Sequence, residues 1–271
     1  MPRRMIRGCE YYVEEAGTGQ DTIVFLHGLF MSGRAWHNQV LALRSRFRCV
    51  SIDLRGHARS SSPSDGYSMD DLADDVIQLI QAAGYGPCHV VGCAMGSTIA
   101  MHLALRRPEM IRSLTLMAAT AEAEEGATGR QLWMTGFLMQ MVGIRPFART
   151  LMRRIFGQHF LRDEDRRIQV DHWRNEFRKH NAKGVARALR AYARRDSLVS
   201  VAGRIRPPTL ILAGEQDSIC HIRESRALNE TISGSRFVTS PKAAHCPPVE
   251  TPDAVSEALT GFLSSLQPRS Y

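Results

Sequence analysis

Short apolar runs alternate along the chain with stretches whose apolar residues recur every three to four positions. The runs Thr22-Ile23-Val24-Phe25-Leu26, Cys49-Val50-Ser51-Ile52, His89-Val90-Val91 and Ser113-Leu114-Thr115-Leu116-Met117 have the length of strands. Between them, Leu72, Val76, Leu79 and Ile80 repeat at helical spacing, which predicts a helix over 69–83. Ser68 stands where an N-cap belongs, and Asp70 and Asp71 put negative charge in the first turn. Strands alternating with helices predict a mostly parallel sheet with helices on both faces.

From about residue 121 to 202 this rhythm breaks. No strand is evident there, and helices are expected over 131–142, 146–156, 164–179 and 183–193. Pro207 to Gly214 resumes the sheet, Ser235 to Thr239 forms a last strand, and 252–266 forms a closing helix. A helical insertion in such a chain is expected to cap the carboxyl edge of the sheet, where open α/β sheets hold ligands. The expected organisation is therefore a core in 1–120, a helical cap in 121–202 and the rest of the core in 203–271. No internal repeat or low-complexity segment interrupts it.

Composition narrows the class. At 271 residues the chain suits one large α/β domain with an insertion, and 44% hydrophobic with 23% charged residues argues against disorder. No apolar run reaches the roughly 18–20 residues of a membrane span, so integral membrane association is not expected. The start, Met-Pro-Arg-Arg-Met-Ile-Arg-Gly, is basic but lacks the apolar stretch of a signal peptide. Cys9, Cys49, Cys88, Cys93, Cys220 and Cys246 are scattered, without CxxC spacing. They read as reduced thiols rather than a disulfide framework or zinc site, so a cytoplasmic enzyme without metal or cofactor is expected.

The net charge of +8 is concentrated: 17 Lys and Arg stand against 6 Asp and Glu between Met141 and Arg206. That excess fits attraction of an anionic substrate, carrier protein or membrane surface. It equally fits solvated faces of cap helices, since Arg187, Arg190 and Arg194 fall at helical spacing. No nucleic-acid motif accompanies it.

The chemistry centres on Gly92-Cys93-Ala94-Met95-Gly96. This is the frame of a nucleophile elbow, a strand-to-helix turn that lifts one side chain above the end of a sheet. The two glycines remove Cβ atoms that would collide where strand and helix approach. At the nucleophile position stands Ala94, and a methyl group cannot attack. Three more motifs accompany the elbow: His27-Gly28-Leu29-Phe30 after one strand, Asp53-Leu54-Arg55-Gly56-His57-Ala58-Arg59-Ser60 after the next, and Asp217 followed by His245 near the end. In order and spacing the four resemble the α/β-hydrolase superfamily, particularly its small esterase and 3-oxoadipate enol-lactonase-like branch.

The resemblance implies a role for each motif. The backbone N–H groups of Leu29 and Met95 would form the oxyanion hole. His245, whose unperturbed pKa lies near 6.5, would be the general base. Asp217, preferred over Glu215, would orient its imidazole. Asp53 and Arg55 would fix their loop, in which Ala58 takes a place usual for glycine; His57 and His102 read as structural. Neither Cys93 nor Ser97 has the register to replace a nucleophile at 94. Branches of the family with an aspartate nucleophile usually carry an aromatic residue after it and a proline soon after His-Gly. Met95 and Phe30 depart from that pattern, which makes the missing group a serine.

Phe30 and Trp36, near the oxyanion loop, and Trp133 and Phe137, in the Met-rich cap stretch, are the candidate substrate contacts. That stretch suits either an adaptable lining or packing of the cap on the core. The reading is a serine hydrolase of carboxylic esters or lactones, inactivated at Ala94. Such a chain would keep its pocket and trap a substrate complex, which favours engineering over natural loss. Hydrolysis of a C–C bond or a lyase or cyclase reaction on the same fold is one alternative. A natural non-catalytic binder is another. The expected partner is a small apolar or aromatic ester or lactone, with or without an anionic group, bound by a monomer or homodimer.

Overall fold

The computed structural model describes residues 3–124 and 126–266, so the basic N-terminal stretch begins outside the described residues. Strands β1 (Arg3–Ile6), β2 (Cys9–Ala16), β3 (Thr22–Leu26), β4 (Arg48–Asp53), β5 (Cys88–Cys93), β6 (Ile111–Met117), β7 (Thr209–Gly214) and β8 (Arg236–Ser240) form one sheet. Their order is β1-β2-β4-β3-β5-β6-β7-β8, parallel from β4 to β8. Strands β3, β5 and β7 are buried along their whole length, as a parallel sheet covered on both faces requires.

Strands β1 and β2 do not stand out as apolar runs. In β2 the inward residues Cys9, Tyr11 and Val13 alternate with Glu10, Tyr12 and Glu14, a period-two pattern suited to antiparallel strands with one face towards water. This hairpin pairs antiparallel with β4 and accounts for the minority of antiparallel pairing.

Helices cover both faces. On one, α2 (Met69–Ala83) and α3 (Met95–Arg106) pack Leu72, Val76, Leu79 and Ile99 against Val24, Val50 and Val90. Ser68 and Asp71 close a reciprocal capping box at the start of α2. On the other, α1 (His37–Leu43) and the closing helix, Pro252–Leu266, bury Trp36, Leu43 and Leu259 against Phe25 and Val91. Helix α1 and a helix over Ile222–Thr231 carry too little periodicity to be expected from the chain.

Between β6 and β7 run α4 (Gly126–Val142), α5 (Ala148–Ile155), α6 (Gln158–Arg162), α7 (Arg167–Lys179) and α8 (Ala182–Tyr192). Helix α4 starts about a turn before the expected 131. The segments 146–156 and 164–179 each open with a 3₁₀ turn, and α6 is an additional short helix. These helices share a hydrophobic cluster, containing Met139, Phe156, Phe160, Trp173 and Phe177, with Phe30, Met31, Cys246 and Val249 of the core. The insertion is thus packed onto the loops at the carboxyl edge of the sheet.

Candidate active site

Ala94 occupies the single position between β5 and α3, with φ 50° and ψ −114°. A side chain at positive φ outside glycine costs on the order of 1–3 kcal/mol, and the surroundings impose it. The Ala94 N–H donates to Met117 O at 2.9 Å, while Ala94 O accepts from Ser97 N at 2.9 Å and Thr98 N at 3.1 Å. A Cβ on Gly92 would stand 2.4 Å from Gly96 O, and one on Gly96 would stand 2.1 Å from Leu26 O. Gly28 brings the next loop so close that its own Cβ would lie 3.2 Å from the Ala94 methyl. Cys93 turns its Sγ to His245 O at 3.6 Å, and Ser97 is buried with its Oγ donating to Met117 O at 2.8 Å. Neither occupies the apex.

Asp217 and His245 meet from separate loops. Asp217 Oδ2 lies 2.8 Å from His245 Nδ1, and its Oδ1 accepts from Ile219 N at 2.8 Å and Cys220 N at 3.0 Å. Glu215 instead accepts from the Thr239 hydroxyl at 2.9 Å at the surface. Burial by itself would lower the His245 pKa, but the attraction and hydrogen bond of Asp217 outweigh it and raise the group to about 9. With Nδ1 held by the carboxylate, Nε2 is left for the cavity and has no hydrogen-bond partner among the described residues.

The loop carrying His245 is organised by Glu250, a buried side chain in the short helix Pro247–Glu250. One carboxylate oxygen accepts from Ala244 N at 3.1 Å and Cys246 N at 2.9 Å, straddling His245; the other accepts from Gly157 N of the cap at 2.7 Å. Burial raises the Glu250 pKa, against these three N–H bonds, which favour the anion. His245 N donates to Ile155 O at 3.2 Å, a second tie to the cap.

Leu29 and Phe30 follow β3. Gly28 O accepts from Met31 N at 3.2 Å and from His27 Nδ1 at 2.8 Å, while His27 Nε2 accepts from Leu54 N at 2.9 Å. Complete burial lowers the His27 pKa to about 3, so the ring is neutral and can both donate and accept. Asp53 accepts from Gly33 N at 2.7 Å and from Arg59 Nε at 2.7 Å, and Arg55 Nε donates to buried Asp75 at 2.8 Å. Both fix loops. Ala58, in the place usual for glycine, adopts φ 45°. His57 is buried beside His27, and His102 contacts Asp70 at 3.0 Å.

A cavity of about 260 Å³ opens over the elbow, lined by Leu29, Phe30, Ala94, Met95 and His245 from the core. From the cap come Leu132, Thr135, Met139, Leu151, Arg154 and Leu189, among others. Three candidate substrate contacts stand elsewhere. Trp36 lies fully buried in the core beside Phe25, with ring centroids 5.2 Å apart, because its helical turn packs against the sheet. Trp133 and Phe137 stack at 6.0 Å on a different face of α4, with Arg190 and Arg194 over the Trp133 ring. The cavity takes the row Leu132, Thr135 and Met139. One residue along a helix turns a side chain by about 100°, enough to carry Trp133 off that face. Nothing in the chain marks Glu250 for this role, because its partners are backbone N–H groups.

Among the described residues, no cluster of three or more His, Cys, Asp or Glu could hold a metal ion, and no helix is long and apolar enough to cross a membrane.

Residues 21–252 match the family model described as alpha/beta hydrolase fold. A pimeloyl-[acyl-carrier protein] methyl ester esterase of Aeromonas hydrophila is 30% identical over 93% of this chain and 98% of its own. A 3-oxoadipate enol-lactonase of Acinetobacter baylyi is 27% identical over 90% of this chain and 89% of its own. Among solved structures, a thermophilic esterase from Thermogutta terrifontis superposes with a TM-score of 0.92 at 26% identity, over 98% of this chain and 99% of its own. The elbow, the His–Asp pair and the sheet order agree with the match over 21–252: this chain belongs to the α/β-hydrolase fold family.

Proposed function

We propose that this chain carries the active site of a serine-type hydrolase of carboxylic esters or lactones, with alanine in place of the attacking serine. One observation carries the reading: Ala94, His245 and the two N–H-bearing residues Leu29 and Met95 line the same cavity, and Asp217 holds His245 from behind. As the first residue of α3, Met95 has an N–H that precedes the helix's own hydrogen bonds, and the Leu29 N–H has no partner among the described residues. Relatives named as ester hydrolases and enol-lactonases support the bond type.

A hydroxyl at 94 would attack the substrate carbonyl while His245 in its neutral form, which gains population as pH rises towards 9, takes its proton through Nε2. Leu29 and Met95 N–H groups would receive the oxyanion. The imidazolium, stabilised by Asp217, would return the proton to the leaving alcohol, and water activated by His245 would release the acid. Without the hydroxyl the chain binds and does not turn over; losing a triad serine costs on the order of 10⁶ in turnover. The apolar lining suits a short acyl chain, and Arg154 offers a cation to substrates that also carry an acid group.

The Ala94→Ser variant tests the reading. It should hydrolyse p-nitrophenyl hexanoate and gain the mass of a fluorophosphonate label, whereas the Ala94 chain does neither. A variant that neither labels nor hydrolyses any ester or lactone would sink it. The methyl at the apex favours a second reading, a binding protein, which is left standing if the Ala94 chain holds a ligand and the serine variant gains no activity. Labelling together with cleavage of a β-diketone alone would favour C–C hydrolysis.

A further inference from the structure

His180 is the residue that ends α7, and its ring reaches out of the cap into the core. Its Nε2 lies 2.6 Å from Phe30 O, and its Nδ1 accepts from Ala58 N at 3.2 Å. A ring that accepts at Nδ1 must be neutral and carry its proton on Nε2, so Nε2 donates to Phe30 O. Burial holds His180 below its ordinary pKa, in keeping with that neutral form. Phe30, at φ 63°, and Ala58, at φ 45°, both occupy the left-handed region that non-glycine residues avoid. One imidazole therefore ties down the strained residue in each of two loops, one of which carries the cavity-lining Leu29 and Phe30.

The consequence runs through the backbone. The two peptide units involved, 28–29 and 30–31, are trans, and in a trans peptide the C=O and N–H point in opposite directions. His180 holds the Phe30 carbonyl, so the Met31 N–H on the same peptide is aimed away from it. That N–H donates to Gly28 O at 3.2 Å. Gly28 O belongs in turn to the peptide that bears the Leu29 N–H, which is thereby directed the opposite way, on the residue that lines the cavity. His27 holds the same Gly28 carbonyl from within the core.

We propose that His180 is a positioning residue for the oxyanion site, orienting the Leu29 N–H through the 30–31 and 28–29 peptides. This goes beyond the hydrolase reading but rests on it for the role of Leu29. The cap thereby takes part in building the catalytic geometry as well as in enclosing substrate. Each hydrogen bond in the series also polarises the next, which strengthens the terminal donor. The ring is held in place by close packing of cap on core: a Cβ on Gly184 would stand 2.5 Å from both Gly56 O and Ser62 Oγ.

Two measurements test this. In the Ala94→Ser background, His180→Leu should lower kcat for p-nitrophenyl hexanoate about 10–100-fold, less than outright removal of an oxyanion donor, with KM changed less than about threefold. His180→Gln, which keeps an N–H within reach of Phe30 O, should recover most of that loss. A residue serving packing alone would give equal losses in both variants, in step with their Tm. In the Ala94 chain, saturating hexanoate should move the Leu29 and Met95 amide protons downfield, and His180→Leu should abolish only the Leu29 response. An unchanged kcat and an unchanged Leu29 response in folded His180→Leu overturn the proposal. If the serine variant is inert, the hydrolase reading fails, and the Leu29 amide alone decides on His180.

Discussion

Replacing Asp217 by asparagine should convert a stability that declines towards alkaline pH into one that does not. Asp217 meets His245 at 2.8 Å, and the imidazole pKa rises from 6.5 to about 9. At 1.36 kcal/mol per unit, this corresponds to about 3 kcal/mol favouring the protonated ring in the folded state. The folded pKa exceeds the unfolded one, so the contribution is complete below pH 6.5 and lost as pH rises to about 9. In Asp217→Asn the attraction vanishes and burial alone pulls the ring below 6.5. Urea unfolding of both proteins at pH 6 and pH 9.5 should show a stability gap that narrows by about 3 kcal/mol between the two. Imidazole NMR should find His245 titrating near 9 in the parent chain and below 6.5 in the variant. A gap independent of pH, with His245 titrating near 6.5 in both, would refute the reasoning.

Other outcomes follow from the same geometry. Gly96→Ala places a methyl 2.1 Å from Leu26 O, with backbone on both sides. It should cost at least about 3 kcal/mol, at the top of the overpacking range, and lower Tm by several degrees; an unchanged Tm would contradict the close approach. Glu250→Ala strands three N–H groups around His245 and should destabilise by at least about 2 kcal/mol, measured by urea unfolding. At pH 7 the Ala94 chain presents an imidazolium towards its cavity, so hexanoate should bind more tightly than hexanol by calorimetry. That preference should fade above pH 9, and equal affinities at pH 7 would count against it.

The chain announces those parts of the site where the chemistry demands a residue type. Glycines at 92 and 96, a histidine and a carboxylate late in the chain, and His27-Gly28 can be found because few other residues could serve there. The parallel strands are equally legible, since burial on both faces leaves uninterrupted apolar runs. Side chains that hold distant backbone atoms leave no comparable mark. His180 works on a carbonyl 150 residues away, and Glu250 on an N–H 93 residues away. Cap contacts fail for a different reason: Trp133 and Leu132 are adjacent in sequence, yet only Leu132 lines the cavity. The β1–β2 hairpin leaves no apolar run, because alternation of Glu with Tyr and Val lowers its mean apolarity.

The turn at residue 94 keeps its conformation with no reacting group on it. Its neighbours, Gly92, Gly96 and Met117, dictate the backbone angle, and the alanine bears the strain without any return in chemistry. The elbow is therefore a socket, whose direction is a property of the scaffold and whose reactivity belongs to the residue fitted into it. Serine, cysteine or aspartate placed at 94 would leave the backbone along the same vector as the present methyl, beside the cavity that His245, held by Asp217, also lines. Glycine there would relieve the strain and leave the socket empty.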